Sequence, residues 1–155
     1  MNTIYAASNA TIVGDVVLGD QVSIWYGAVL RGDSGTIVVG DGTNIQDGAM
    51  LHDGPVIGKN CTVGHRAIVH GCTVADNCLI GMGAIVLNGA VLEEGCIVGA
   101  GAVVTGKTKA PAGSVLLGNP ARVVKSATQE QIQGTIHNAQ HYIEMAKNSL
   151  PIKTL

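Results

Sequence analysis

Aliphatic residues return at every sixth position along most of this chain, and polar residues and glycines fill the positions between them. The step is six residues within three runs, but it is nine between Leu30 and Val39 and five between Val69 and Val74. The repeated positions are Ile12, Leu18, Ile24 and Leu30, then Val39, Ile45, Leu51, Ile57, Val63 and Val69, then Val74, Ile80, Val86, Leu92, Val98 and Val104. Neither a helix, with about 3.6 residues per turn, nor a long alternating strand has this period. The pattern predicts short strands joined by turns, with three units closing one triangular coil of about eighteen residues.

A small side chain follows most of the aliphatic residues by four positions, which indicates a narrow interior. These small residues are Val22, Ala28, Ala49, Cys61, Ala67, Cys78, Ala84, Ala90, Cys96 and Ala102. The chain has 22 glycines, no Phe and only 3% aromatic residues, which suits a thin aliphatic core that large rings would overfill. The expected fold is an all-β solenoid. Its pattern resembles the left-handed parallel β-helix of hexapeptide-repeat proteins, and the left-handed sense is implied by that resemblance, because ordinary crossover rules favour the right hand.

A different pattern follows once the six-residue rhythm fades after Val104. An apolar stripe with alternating steps of four and three residues predicts a helix with one buried face. The stripe consists of Ile132, Ile136, Ala139, Ile143, Ala146 and Leu150. Thr128 is the expected N-cap, because Gln131 follows it at the spacing of a capping box. We therefore predict a left-handed β-helix domain over residues 1–125 and a C-terminal helix over residues 126–150 that packs on the prism.

Composition excludes several classes of protein. The 155 residues suit one domain, and a formal net charge of −2 gives no basic surface for nucleic acid. The chain contains no apolar stretch of about 18 residues that would cross a membrane and no secretory signal at its start, so we expect a cytoplasmic protein without nucleic-acid or membrane partners. The four cysteines, Cys61, Cys72, Cys78 and Cys96, each precede a repeated aliphatic residue by two positions. We interpret them as small core residues rather than as disulfide or zinc ligands.

Three histidines near the middle of the chain have a spacing that predicts a metal site. His52 directly follows Leu51 and His70 directly follows Val69, eighteen residues later and without an insertion. Both side chains therefore point outward from adjacent coils, and neighbouring strands are about 4.8 Å apart, so the two rings can share one ion. His65 lies near a corner and one face away. A third ligand would therefore come from a neighbouring chain, as in a closed threefold assembly.

Three histidines with one open position form the ligand set of a catalytic zinc site, although iron and cobalt also accept imidazole ligands. Two further histidines, His137 and His141, are four residues apart on the predicted helix. They are either a solvated pair or an incidental metal clip.

Two segments around these histidines are similar to the metal-site signature of the γ-class carbonic anhydrase family. They are the segment from Gln46 to His52, QDGAMLH, and the segment from Gly64 to Cys72, GHRAIVHGC. The upstream segment VLRGD, which contains Arg31 and Asp33, resembles the first loop of that family. The similarity covers essentially the whole chain, including the C-terminal helix.

The resemblance implies a homotrimer with zinc between its subunits, where a metal-bound hydroxide hydrates carbon dioxide to bicarbonate. It also implies that Arg31 and Asp33 pair across the interface, that Gln46 orients the hydroxide, and that Tyr142 approaches from the helix. More ordinary interpretations remain open for these residues. Arg31 and Asp33 could form an ion pair within one chain, and Gln46 could be a surface residue. We expect nearby Asn44 and Asp47 to serve turns.

The chain departs from the best-studied members of the family in its proton-transfer loop. After His52 only Asp53, Gly54 and Pro55 precede the next repeat, and Ser34 follows Asp33 where a carboxylate is expected. A fast hydratase needs a route for the released proton, so turnover could be slow or absent here. Asp53 is a candidate for the shuttle.

Two other function classes stay open. Hexapeptide-repeat acyltransferases use one histidine at a trimer interface as a general base, and their resemblance here includes the ending GNPARVV over residues 118–124. The register of three histidines counts against this class, because a single base does not need it. The second class is a structural or assembly protein that keeps the fold without catalysis.

Overall fold

The computed structural model describes residues 1–154 and shows a parallel β-helix followed by an α-helix. Three short strands make up each regular coil, and each strand pairs in parallel with the strand three places later in the sequence. The coils therefore stack into a prism with three faces. The prediction of an all-β solenoid with a C-terminal helix is confirmed.

One face of the prism is a nine-stranded sheet, and the other two faces form a ten-stranded sheet that is continuous through one long strand. The nine-stranded sheet contains β1 (Ile4–Ala6), β3 (Val22–Ile24), β5 (Asn44–Ile45), β8 (Thr62–Val63), β11 (Leu79–Ile80), β14 (Ile97–Val98), β17 (Ser114–Gly118), β18 (Ala121–Ser126) and β19 (Ile152–Lys153). The ten-stranded sheet contains β4 (Val29–Val39), β6 (Met50–His52), β7 (Val56–Ile57), β9 (Ile68–His70), β10 (Thr73–Val74), β12 (Ile85–Val86), β13 (Val91–Leu92), β15 (Val103–Val104), β16 (Lys109–Ala110) and β2 (Thr11–Leu18), which pairs with β4. From β5 to β16, each strand of the nine-stranded sheet is therefore followed along the chain by two strands of the ten-stranded sheet.

The repeated aliphatic residues form the core, as predicted. From Leu18 to Val104 every one of these positions is buried, with Leu18 the most accessible at 8% exposure. The small residues four positions later are also buried and belong to the same cluster. Packing therefore runs as one continuous stack along the prism axis.

The four cysteines are buried free thiols, which confirms their assignment to the core. Burial raises the pKa of the Cys72 thiol to about 12, so it stays protonated and unreactive near neutral pH. The Sγ atoms of Cys61 and Cys78 approach the carbonyl oxygens of Ala75 and Glu93 at 3.1 Å and 3.2 Å. These thiols therefore donate weak hydrogen bonds to backbone carbonyl groups at one corner of the prism.

The interruption between Leu30 and Val39 is a strand and not the loop that we expected. Its first part pairs with β6 and its last part pairs with β7, so β4 bridges two faces of the prism. Strand β2 pairs with β4 in parallel, and the register of this pairing shifts between Gly14 and Val16. A Cβ atom on Gly32 would lie 2.2 Å from the carbonyl oxygen of Asp15, so glycine is needed where the two strands touch.

Three elements at the ends of the prism were not predicted. The rhythm continues past Val104 through Ala110 and Leu116, both buried, but Ala110 is too small to register as an aliphatic repeat. Strands β17 and β18 then form an antiparallel hairpin in place of a simple ending. After the helix, β19 returns to pair antiparallel with β1.

Helix α1 (Gln129–Ser149) covers the nine-stranded face, where it contacts β3, β5 and β8. Its predicted capping box is confirmed: the backbone N–H of Gln131 donates to Thr128 Oγ1 at 3.1 Å, and the N–H of Thr128 donates to Gln131 Oε1 at 2.9 Å. Ala139, Ala146 and Leu150 of the apolar stripe are buried. Among residues 1–154, no helix has both the length and the apolar character needed to cross a membrane.

Substituting Thr128→Ala is expected to lower the free energy of unfolding by about 1 kcal/mol, because it leaves an N–H group of the first turn without its side-chain acceptor. Guanidinium denaturation followed by far-UV circular dichroism measures the change. The matched Thr128→Ser variant keeps the hydroxyl and should unfold at nearly the wild-type denaturant concentration. Equal stability of the alanine variant and the wild type would mean that the cap contributes nothing.

Candidate metal centre

His52 and His70 face each other on adjacent strands, as the spacing predicted. The register pairs His52 of β6 with His70 of β9, and the ring centroids are 5.0 Å apart. His52 Nδ1 is 3.0 Å from His70 Nε2. The eighteen-residue coil thus brings two ring nitrogens together on the outer wall of the prism.

The separation of these two nitrogens suits a shared metal ion. Two ligands of one tetrahedral zinc, each about 2.05 Å from the ion, are about 3.3 Å apart. The observed 3.0 Å differs from this value by a few tenths of an ångström, which a small rotation of either ring supplies. The imidazole donors therefore fit a divalent cation of the zinc type.

His65 lies on another face, also as predicted. It follows β8 of the nine-stranded sheet, whereas His52 and His70 belong to the ten-stranded sheet. His65 Nδ1 is 3.0 Å from Asp47 Oδ2. Within residues 1–154 of one chain, no three His, Cys, Asp or Glu side chains are grouped closely enough to hold a metal.

His65 lines a groove of about 390 Å³ between helix α1 and the nine-stranded face. Gln46 and Tyr142 line the same groove, so the structure brings these three predicted site residues together. The remaining wall is mainly apolar and includes Leu79, Met82 and Ile97. One chain therefore carries two separate groups of site residues, the His52–His70 pair on one face and the His65 groove on another.

Gln46 is a buried residue, with 4% exposure, and not the surface glutamine that we had left open. Its Nε2 atom donates to Asn44 Oδ1 at 3.0 Å. Asn44 in turn donates to Thr62 Oγ1 at 2.9 Å, and Asn138 of the helix donates to the same hydroxyl at 3.0 Å. The assignment of Asn44 to a turn was wrong, because it lies on β5 and fixes the Gln46 amide.

Tyr142 packs edge-on against Trp25, with ring centroids 5.3 Å apart. Burial raises the pKa of the Tyr142 hydroxyl, and the negative charge of Asp47 raises it further. The phenol is therefore neutral near pH 7 and can donate a hydrogen bond into the groove. Asp47 does lie in a turn, as expected, and it also contacts His65.

Arg31 and Asp33 form an ion pair within one chain, with Arg31 Nη1 2.6 Å from Asp33 Oδ2. The other carboxylate oxygen of Asp33 is 2.9 Å from His52 Nε2. Contact with His52 lowers the pKa of Asp33, and Arg31 lowers it further, so this carboxylate is ionised near neutral pH. Asp33 thereby links Arg31 to the histidine pair.

The remaining residues near the pair come from strand β4, from the shortened loop after His52 and from the next coil. Ser34 Oγ is 3.2 Å from His52 Nε2. Asn88 Oδ1 is 2.5 Å from His70 Nδ1, and its amide nitrogen donates to Asp53. Sequence reasoning missed Asn88, because this residue lies outside the motif around the histidines. His137 and His141 are exposed on the helix.

Comparisons with known proteins agree with the repeat and with the fold. A family model described as bacterial transferase hexapeptide (six repeats) matches residues 71–106. The structure of a hexapeptide transferase family protein from Anaplasma phagocytophilum superimposes with a TM-score of 0.94 and 43% identity, covering 97% of this chain and 91% of that one. The prism and its helix are therefore shared along nearly the full length.

Several curated relatives carry carbonic anhydrase names. The Arabidopsis thaliana protein named gamma carbonic anhydrase 2, mitochondrial, is 45% identical over 154 residues, which cover 93% of this chain and 55% of that protein. This chain thus spans about half the length of that plant relative. The Methanocaldococcus jannaschii protein named "Probable carbonic anhydrase" is 48% identical over 145 residues, covering 91% of each chain. With this identity over nearly the whole of both chains, the protein belongs to the γ-class carbonic anhydrase family of hexapeptide-repeat proteins.

Proposed function

We propose that this protein is a carbonic anhydrase that reversibly hydrates carbon dioxide to bicarbonate at metal centres between the subunits of a homotrimer. The observation that carries the proposal is the 3.0 Å approach of His52 and His70 on one face, with His65 partly exposed on another. His52 and His70 of one subunit and His65 of its neighbour would hold each metal. The carbonic anhydrase names of the relatives support a metal cofactor.

Zinc is the proposed metal, with iron and cobalt as alternatives that also accept three imidazoles. A cation held in this way is a Lewis acid that makes water a nucleophile near neutral pH. Neutral imidazoles leave its charge uncompensated, which strengthens that effect.

Gln46 and Tyr142 would act on the substrate side of the centre. Because Asn44 accepts from Gln46 Nε2, the Gln46 amide is oriented and its oxygen can accept a hydrogen bond from the attacking water. The neutral Tyr142 hydroxyl can donate to an oxygen of the product. The apolar wall of the groove suits carbon dioxide, which is small and uncharged.

Arg31 and Asp33 belong to the His52 side of the centre. The Asp33 carboxylate orients the His52 ring, which is the usual role of an outer partner of a ligating histidine. We propose that this ion pair also faces the neighbouring subunit. The buried free thiols support a reducing, cytoplasmic location.

We expect slow turnover, because the chain has no acidic loop beside the histidine pair. Ser34 occupies the position after Asp33, and the Asp53 carboxylate already accepts a hydrogen bond from Asn88. A carboxylate that is held in this way, and whose pKa is lowered by the contact with Asn88, is poorly suited to carrying a proton to solvent.

The proposal is tested by measuring metal content and carbon dioxide hydration on the purified protein. Wild type should bind about one metal ion per chain, and His65→Ala should lose most of that metal and the hydration rate, since two imidazoles remain where three are needed. His137→Ala on the exposed helix is the matched control and should retain both. Metal-replete trimer that hydrates carbon dioxide no faster than His65→Ala would contradict the proposal.

A hexapeptide-repeat acyltransferase is the second candidate, because the superimposed Anaplasma protein is described as a transferase family member. This function needs only one histidine as a base, and it leaves the His52–His70 contact without a role. A structural role for the metal is a third possibility. Loss of the trimer on chelation would favour it, whereas an intact trimer that loses hydration would favour catalysis.

A further inference from the structure

Asn88 contacts the nitrogen of His70 that does not face His52. Its Oδ1 atom is 2.5 Å from His70 Nδ1, and its Nδ2 atom donates to Asp53. A carboxylate only accepts hydrogen bonds, so the amide nitrogen must face Asp53 and the amide oxygen must face His70. An amide oxygen cannot donate. His70 Nδ1 therefore carries a hydrogen, and the lone pair of the neutral ring lies on Nε2.

Two glycines allow Asn88 to take this position. A Cβ atom on Gly71 would lie 2.2 Å from Asn88 Nδ2, and a Cβ atom on Gly106 would lie 2.1 Å from the Asn88 carbonyl oxygen. Val86 pairs with Val69, so the coil after His70 is one residue shorter than the coil before it. This shift places Asn88 beside Gly71, from where its side chain reaches back to the histidine.

Asp53 anchors the outer end of this arrangement. Its carboxylate accepts a hydrogen bond from the Asn88 amide nitrogen. The direct distance from Asp53 Oδ2 to His70 Nδ1 is 4.0 Å, too long for a hydrogen bond. Asn88 is therefore the group that connects the carboxylate to the ring.

We infer that Asn88 and Asp53 are positioning residues that hold neutral His70 in the tautomer whose Nε2 is available to a divalent cation. The inference rests on the proposed metal centre. Outer partners of this kind typically change metal affinity about 10–100-fold when they are removed. Here an amide takes the place that a carboxylate or backbone carbonyl usually has, and the carboxylate stands one hydrogen bond further out.

The experiment has two readouts on the full-length protein. Zinc and cobalt affinities are measured by competition with a chelator, and the ring nitrogen chemical shifts of His70 are measured by ¹⁵N NMR on metal-free protein. Asn88→Ala should weaken cation binding about 10–100-fold and shift His70 towards a mixture of tautomers. Gly71→Ala should give the same two changes, because the added methyl group displaces the Asn88 amide without removing it.

Two matched controls separate this effect from general damage. Asn77→Ala removes another asparagine that donates to a carboxylate, that of Glu94, at a different corner. Gly101→Ala places a methyl group at a glycine that also has positive φ but has open space around it. Both controls should keep the cation affinity and the His70 shifts of the wild type.

An exchange variant provides a rescue. Combining Asn88→Asp with Asp53→Asn should restore affinity and tautomer, because the new carboxylate at position 88 accepts from His70 Nδ1 and from the new amide at position 53. Unchanged His70 shifts and wild-type affinity in both Asn88→Ala and Gly71→Ala would overturn the inference. If wild type binds neither zinc nor cobalt, the proposed metal centre is wrong, and the NMR readout still decides whether Asn88 sets the tautomer.

Discussion

A mixture of His65→Ala chains and His70→Ala chains is expected to recover about a quarter of the wild-type hydration rate, although each variant alone is inactive. The His65→Ala chain keeps the His52–His70 pair, and the His70→Ala chain keeps His65. A complete set of ligands forms wherever a chain of the first kind meets the correct side of a chain of the second kind. A trimer made of only one of the two variants never contains such a pair of neighbouring chains and therefore has no complete site.

The expected size follows from threefold symmetry. At equal amounts about three quarters of the trimers contain both chains, and each such trimer has one complete site out of three. Variants are mixed by co-expression or by unfolding and refolding together, and hydration is followed by stopped flow with bound metal measured in parallel.

A second mixture serves as the control. His52→Ala with His70→Ala should recover nothing, because neither chain keeps an intact pair. Equal recovery in the two mixtures, or no recovery in the first, would rule out a site that takes its pair from one subunit and His65 from the next.

Ile80→Ala is expected to lower the free energy of unfolding by about 2–5 kcal/mol. Ile80 is fully buried on β11, which pairs with β8 on one side and with β14 on the other. In a solenoid each coil contacts only its neighbours, so a cavity at this position weakens the interfaces with both adjacent coils.

Guanidinium denaturation of the purified variant measures this loss. Val124→Ala is the control, because its side chain is 52% exposed on β18 and should change stability by no more than about 0.5 kcal/mol. A loss below about 1 kcal/mol for Ile80→Ala would show that the stacked aliphatic core contributes little to stability.

Much of the fold could be predicted because a fixed period constrains every coil in the same way. The aliphatic positions, the small residues that follow them and the capping box at Thr128 all proved correct. Strand β4 was missed because its extra residues break the period while still pairing with β2. The hairpin of β17 and β18 and the return of β19 were missed because antiparallel closures at the ends of the prism do not repeat.

The site could be predicted only where its geometry depends on the register. The eighteen-residue separation of His52 and His70 indicated their contact, and the offset of His65 indicated another face. The Thr62–Asn138 contact joins the prism to the helix, and the Asn88–Asp53 contact joins two turns of different coils. Such contacts have no period, so the sequence pattern gave no indication of them.

The antiparallel strands at the two edges of the nine-stranded sheet limit how this molecule can grow. A stack of parallel coils exposes unpaired N–H and C=O groups at its ends, and identical molecules could join there end to end into fibres. Strand β18 covers one end and strand β19 the other, both with reversed chain direction and with a lysine, Lys125 or Lys153, on the outer strand. On this face another copy would therefore meet a reversed edge strand that carries a lysine, which disfavours end-to-end stacking of the repeat.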